Sequence, residues 1–419
     1  MTTSNLWLPY TQMRTALPPL KADWTNGCRI GLTDGRVLID GIASWWTACH
    51  GYNHPHIADA VRTQLARMPH VMLGGLVHAP ALRLAERLTA LLPGDLNSVF
   101  FAESGSVAVE VAIKMAIQYW LNRGEQGRSR LVAFRGGYHG DTFATMAVCD
   151  PEEGMHSLFR GVLAQHHLVD LPRDHASEAI LDGFLALHRH GIAAILVEPL
   201  VQGAGGMVFH APEVLRRLRR LADRHGLLLI LDEIFTGFGR TGSLFACEQA
   251  GIVPDIVTLS KALTGGTMAL SAAVARPHVF EAFLSDDPVQ GPMRALMHGP
   301  TYMGNALACA AANASLDLFE REDRLGQVAA ISAQLASELE PCRTLPGVVD
   351  VRVMGAIGVV QLAGIKDMNA LKAALVEQGV WVRPFRDIIY LTPAFTITPS
   401  ELAVLTRAVR RAIETIAPV

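Results

Sequence analysis

The sequence predicts an α/β protein: a large domain built on a mostly parallel sheet covered by helices, plus a smaller α+β domain. Three observations carry this. Short apolar runs end abruptly in ionisable residues: Gly191 to Val197 before Glu198, Leu227 to Leu231 before Asp232-Glu233, and Ile256 to Leu259 before Ser260-Lys261. Runs of that length, bounded by turn residues, read as buried strands. Amphipathic helical patterns separate them, as at Pro212 to His225. Beyond about Asp317 the pattern changes to short strands alternating with helices, which reads as a small α+β domain. A chain of 419 residues has room for both.

Taken in order, the first 50 residues hold Trp7, Trp24, Trp45 and Trp46, and a hairpin is expected from Cys28–Leu32 and Arg36–Asp40 around Asp34-Gly35. Adjacent residues on an extended chain point opposite ways, so at least one of Trp45 and Trp46 is expected to face a cleft. Helices are expected at His56–Met68 and Ala81–Leu92, the second stopped by Pro93-Gly94. A strand at Val99–Phe101 runs into Glu103-Ser104-Gly105-Ser106 and a long helix to about Leu121. Arg130–Phe134 is a strand before Gly136-Gly137-Tyr138-His139-Gly140-Asp141. Met268–Ala275 is a strand. Asn305 to Leu318 is a buried Ala-rich helix. Then come helix Leu325–Leu339, strands near Val348–Val353 and Ile357–Leu362, helix Met368–Gln378, strands Val380–Pro384 and Ile388–Thr392, and a last helix from Ser400. Residues 1–50 are expected to join the small domain, 51–316 to form the large ligand-binding domain and 317–419 the small one.

Composition excludes several classes. Charged residues are 18%, below the roughly 25% usual in soluble domains, which favours an extensive core. The net charge is −3 and the one dense basic run, Arg216 to Arg220, alternates with leucine at helical spacing, so a nucleic-acid partner is not expected. No run of about 18 apolar residues occurs, so no membrane span is expected. The six cysteines lack any Cys-x-x-Cys spacing, so neither a metal site nor a disulfide framework is suggested. Reduced thiols and no signal-peptide pattern point to the cytoplasm.

The chemistry concentrates between Leu227 and Gly265. Ligands of open α/β sheets sit at the carboxyl ends of strands, and there one strand delivers Asp232 and another Lys261. A carboxylate and a lysine emerging from apolar surroundings suit a cofactor with a cationic ring nitrogen and an aldehyde, which is pyridoxal 5′-phosphate. A lysine after a strand is as often a solvated charge, so these two strands alone do not decide. Strand, Ser104-Gly105-Ser106, helix is a phosphate-binding arrangement, although such serines also serve as plain N-caps. Tyr138, flanked by glycines at a strand end, is placed to lie flat on something planar.

Together these residues resemble the class III, fold-type I, pyridoxal-phosphate-dependent aminotransferases over essentially the whole chain. The most specific stretch runs from Leu229-Ile230-Leu231-Asp232-Glu233-Ile234 through Thr236-Gly237-Phe238-Gly239-Arg240-Thr241-Gly242 to Ser260-Lys261. Trp7 to Met13, Ser44-Trp45-Trp46, Tyr138 to Thr142, Val201 to Met207, Gly299 to Met303 and Arg383-Pro384-Phe385 point to the branch of that family serving biotin synthesis. The resemblance implies that Lys261 engages the cofactor aldehyde and moves the substrate proton, and that Asp232 pairs with the ring nitrogen. Tyr10 is implied beside them in catalysis. It further implies Ile234 and Tyr138 on the two ring faces, and Gly105 and Ser106 at the phosphate. Pro300 and Thr301 would reach the neighbouring subunit's cofactor in a homodimer. The substrate residues implied are Tyr10, Trp45, Trp46, Tyr138, Asp141, Lys261, Gly299 and Arg383. Arg383 would hold a carboxylate bidentately, with Arg386 as rival.

Two absences refine this. Ala204 stands where many relatives acting on ornithine-like substrates have a glutamate, and Phe235 stands where they often have glutamine. Both argue against 2-oxoglutarate as a partner. The implied reaction is ping-pong, with S-adenosylmethionine as donor and 8-amino-7-oxononanoate as acceptor. Lysine as donor, or an amine– or diamine–pyruvate activity, is the alternative.

Overall fold

The computed structural model describes residues 5–152 and 157–416. Its centre is a seven-stranded sheet, in the order Ser98–Ala102, Ser271–Ala275, Ile256–Leu259, Leu228–Asp232, Ile192–Val197, Arg130–Phe134, His167–Val169. Only Ser271–Ala275 runs against the rest. The Ile192–Val197 and Leu228–Asp232 strands are buried along their whole length. That explains their continuous apolar runs, because helices cover both faces of a parallel sheet.

The helices follow their sequence signals. Gly105–Asn122 is capped by Ser104, whose side chain accepts from Val107 N–H, and its apolar face packs on the sheet. Pro212–His225 starts on proline and ends on Gly226 at φ +61°, the left-handed cap that favours glycine. Ala306–Arg321 is buried over most of its length. Asn305 caps it, and its small side chains let the Pro55–Arg67 and Ala79–Leu91 helices pack close.

The C-terminal part carries a three-stranded antiparallel sheet, Val348–Met354, Ile357–Leu362 and Ile388–Leu391, covered by the Arg324–Leu339 helix, on which the Pro399–Ile416 helix packs. The N-terminal hairpin joins it: Val37–Asp40 pairs in parallel with Val380–Trp381. The strand expected over Val380–Pro384 is therefore only two residues long. Its partner leaves the ladder after Asp40, and nothing remains for Val382 to pair with. The Met268–Ala275 strand likewise begins only at Ser271, where Ala102 comes opposite. All six cysteines are free and buried. Among the described residues no helix is long and apolar enough to cross a membrane.

Two loops at the sheet edge touch backbone to backbone. Gln202 donates to the Arg135 carbonyl at 2.7 Å, and a Cβ on Gly205 would lie 1.9 Å from the Gly136 carbonyl oxygen. Gly205→Ala is therefore expected to cost about 2–3 kcal/mol of stability by overpacking. Gly191→Ala, where a Cβ meets nothing within 4 Å, should stay within about 0.5 kcal/mol. Chemical denaturation of both variants checks this.

Candidate active site

The register of two strands builds the site. Leu228–Asp232 pairs in parallel with Ile256–Leu259 so that Asp232 lies opposite Thr258, and Lys261 follows three residues later at the same edge. Asp232 is buried. Its Oδ1 accepts from Thr258 Oγ1 and Ile234 N–H, both at 3.2 Å, and its Oδ2 meets His139 Nδ1 at 2.8 Å. Burial works against a charged His139, but the hydrogen bond and charge of Asp232, with the charge of Glu198, outweigh it and raise its pKa. Glu198, at the end of the next strand, is also buried. It accepts from Tyr138 N–H and Gly203 N–H, both at 2.9 Å, and burial pushes its carboxyl up to about 7.

Lys261 leaves its strand at φ +48° and opens the one-turn helix Lys261–Thr264. Its amine lies 4.2 Å from the Trp46 ring centroid and 5.8 Å from that of Phe235. Burial pulls the amine down to about 8, against the opposing charges of Asp232 and Glu198. A substantial share is thus neutral near physiological pH, the form that attacks a carbonyl.

At the other end the Gly105–Asn122 helix presents its first N–H groups beside Ser106, whose Oγ accepts from Asp141 N–H at 3.3 Å. The space is tight. A Cβ on Gly105 would lie 3.0 Å from Ile234 Cδ1, and one on Gly140, at φ +131°, would lie 2.2 Å from Ser106 Oγ. These glycines keep a cradle open at a helix N-terminus.

The aromatic residues form the opposite wall. The expectation of an extended chain through Trp45 and Trp46 is wrong. Ala43, Ser44, Trp45 and Trp46 have φ of +46°, +47°, +56° and +71°, a left-handed turn closed by Trp46 N–H to Ile42 and Thr47 N–H to Ala43, both 2.9 Å. Left-handed non-glycine residues cost about 1–2 kcal/mol each, and such strain persists only where its surroundings impose it. Both tryptophans nonetheless serve the site. Trp46 packs on Phe235 (centroids 4.4 Å apart) and Tyr390 (6.1 Å) beneath the Lys261 amine, while Arg383 stacks on Trp45 at 4.7 Å. The Arg383 guanidinium has no ion-pair partner among the described residues, whereas Arg386 is exposed and at φ +54°. Tyr10 donates to Asp141 and lies 3.2 Å from the Tyr138 hydroxyl. Burial and the hydrogen bond to Asp141 push Tyr10 up to about 12.

Gly299, Pro300 and Thr301 stand apart. Among the described residues no hydrogen bond joins them to Lys261, Asp232 or the Gly105 turn, and Thr301 is exposed. Conversely, His139, Glu198, Thr258 and Phe235 belong to the site although the sequence argument gave the first three no role. The usable signal was position: Glu198 and Thr258 lie at or near the same strand ends as the expected pair, and His139 adjoins Tyr138.

Fold and site together define an aminotransferase, and a family model for class-III aminotransferases matches residues 11–413; the chain belongs to that family and is pyridoxal-phosphate dependent. Among its relatives is a protein of Mycobacterium leprae named adenosylmethionine-8-amino-7-oxononanoate aminotransferase, 45% identical over 97% of this chain and 94% of its own length. A protein of the same name from Corynebacterium glutamicum is 43% identical over 98% and 97%. The crystal structure of the enzyme so named from Methanocaldococcus jannaschii superposes with a TM-score of 0.93 at 30% identity, covering 99% of this chain and 98% of that one. A PLP-bound amine transaminase from an uncultivated Pseudomonas species gives 0.89 at 32%, covering 99% of each. The residues present fit that cofactor: a buried carboxylate for a cationic ring nitrogen, a glycine cradle at a helix N-terminus for a phosphate, and a lysine amine between them.

Protein stripped of cofactor should recapture pyridoxal 5′-phosphate at a rate that rises with pH through about 8 and then levels, as the Lys261 amine loses its proton; stopped-flow absorbance checks this, and Lys261→Ala should show no such rise. Because the folded pKa of His139 is raised, its contribution to stability is complete below about pH 6.5 and lost as pH climbs through the folded value. The stability excess of the stripped wild type over His139→Gln, measured by denaturation across pH, should shrink in that direction.

Proposed function

We propose that the chain transfers the amino group of S-adenosylmethionine to 8-amino-7-oxononanoate, forming 7,8-diaminononanoate for biotin synthesis. The observation that carries this reading is Arg383. Its guanidinium stacks on Trp45 with no ion-pair partner among the described residues, and Ala204 offers no carboxylate to it. The pocket then holds a cation waiting for a substrate carboxylate, with no internal glutamate to switch it off for an amine. The names of the M. leprae, C. glutamicum and M. jannaschii relatives support the same substrates.

The bound cofactor would supply an electron sink for the carbanion formed at the substrate carbon. The chain's own residues do the rest. The Lys261 amine, close to Trp46, would take the proton from the donor's carbon in its neutral form and hold it for return. Asp232, kept in place by His139, Thr258 and Ile234 N–H, would pair with the ring nitrogen. Ser106 and the N–H groups after Gly105 would hold the phosphate, and Ile234 and Tyr138 would flank the ring. Trp45, Trp46 and Tyr10 wall off water and cover the aliphatic chain of the acceptor, and their π faces suit the donor's sulfonium. Asp141, which accepts from Tyr10, adds a negative charge at the rim.

The same reading includes a homodimer with shared sites, in which the Gly299-Pro300-Thr301 loop completes the partner's phosphate cradle. Its support is the exposed apolar surface around that loop, including Met72, Val77, Met293, Met297 and Tyr302. Six buried free thiols accord with a reducing cytoplasm.

Purified protein given S-adenosylmethionine alone should lose its aldehyde-state absorbance, and addition of 8-amino-7-oxononanoate should restore it. If lysine or alanine does this and S-adenosylmethionine does not, the donor is wrong. Arg383→Lys keeps the charge but loses the planar fork, so KM should rise about 10–100-fold, the scale of one charge-assisted hydrogen bond, in steady-state assays.

A further inference from the structure

The left-handed turn that carries Trp45 and Trp46 has no glycine and no proline to favour it. Trp46 does not hold itself there either. Its Nε1–H is buried and has no hydrogen-bond partner, whereas buried tryptophans usually find one. Something else imposes the geometry.

That something is Asp40, the last residue of the Val37–Asp40 strand and buried. Its Oδ1 accepts from Ile42 N–H at 2.8 Å, and its Oδ2 accepts from Ser44 N–H at 2.9 Å and from the Tyr52 hydroxyl at 2.6 Å. Tyr52 also bonds the Ser44 hydroxyl. One carboxylate thus gathers the N–H groups that enter the turn. The strand behind it is anchored by Gly41 N–H to Trp381 at 2.9 Å and Thr392 N–H to Gly41 at 2.7 Å. The exit of the turn rests on the lysine loop, where a Cβ on Gly266 would lie 2.9 Å from Ala48 N. The turn is clamped at both ends, and its two rings are set against Lys261 and Arg383.

We propose that Asp40, with Tyr52, is a positioning residue for the substrate wall: it touches neither cofactor nor substrate, and it sets the placement of Trp46 under the Lys261 amine and of Trp45 under Arg383. Asparagine at this position keeps the size but can accept only at its oxygen. With that oxygen in the Oδ2 position the Ile42 N–H bond is lost, and with it in the Oδ1 position the Ser44 N–H bond and the bond donated by Tyr52 are lost.

The test uses the holoenzyme. Asp40→Asn should retain bound pyridoxal 5′-phosphate by absorbance, while its circular dichroism in the cofactor band shifts toward that of Trp46→Ala. The KM for S-adenosylmethionine should rise about tenfold, and Tyr52→Phe should give a smaller change of the same kind. Trp45→Ala should raise KM about tenfold in the wild type but less than about twofold in the Asp40→Asn background, because interacting residues are non-additive. A wild-type cofactor-band signal and unchanged KM in Asp40→Asn would overturn the assignment, as would Trp45→Ala acting equally in both backgrounds. If Asp40→Asn does not fold, Tyr52→Phe with the same two readouts decides. The kinetic arm rests on the proposed donor. Failure of the wild type to use S-adenosylmethionine sinks that reading, whereas the cofactor-band signal needs no substrate and still decides Asp40.

Discussion

The pairing of Leu228–Asp232 with Ile256–Leu259 is the constraint on which the rest depends. Parallel register places Asp232 opposite Thr258, and the chain then needs only the step through Ser260 to bring Lys261 to the same edge. A slip of one residue would turn Asp232 to the other face of the sheet, because side chains alternate. The strands are buried throughout, so their register is set by packing on both sides. The carboxylate and the amine therefore sit at the edge of two fully buried strands, while Tyr10, Trp45, Trp46 and Arg383 sit outside that sheet.

The charges at that edge form one coupled group. Two buried carboxylates, Asp232 and Glu198, face one imidazole and one amine. Burial alone would disfavour the charged forms of His139, Glu198 and Lys261. Mutual attraction acts selectively: it raises the pKa of His139, whereas for Lys261 burial prevails and brings the amine down to about 8. Glu198 is held by two backbone N–H groups, one from Tyr138 and one from Gly203. It thereby fastens the loop of Tyr138 to the loop of Ala204, so its carboxylate links the electrostatics of the sheet edge to the shape of the pocket. The backbone contact of Gly205 with Gly136 closes the same seam from the other side.

The substrate wall obeys a different logic. It is built from strained backbone, with Ala43 to Trp46, Tyr10 and Lys261 all at positive φ. Such conformations do not arise from local preference, and these residues would relax if freed. Their persistence here shows that the hairpin, the Val380–Trp381 strand and the lysine loop over-determine them. Arg383, two residues beyond that short strand, is delivered to Trp45 by the same pairing.

The sequence by itself determined the alternation of strands and helices, the strand-end placement of Asp232 and Lys261, the Ser104 cap and the family. These signals are local: apolar period, turn residues and motif spacing survive without any knowledge of contacts. It left open the choice between Arg383 and Arg386; the structure stacks Arg383 on Trp45. It misjudged the Trp45-Trp46 backbone, because a left-handed turn without glycine has no signature in composition. It assigned no role to His139, Glu198 or Asp40. Each acts through a partner distant in the chain or through backbone N–H groups, and only tertiary packing decides which buried carboxylate meets which donor.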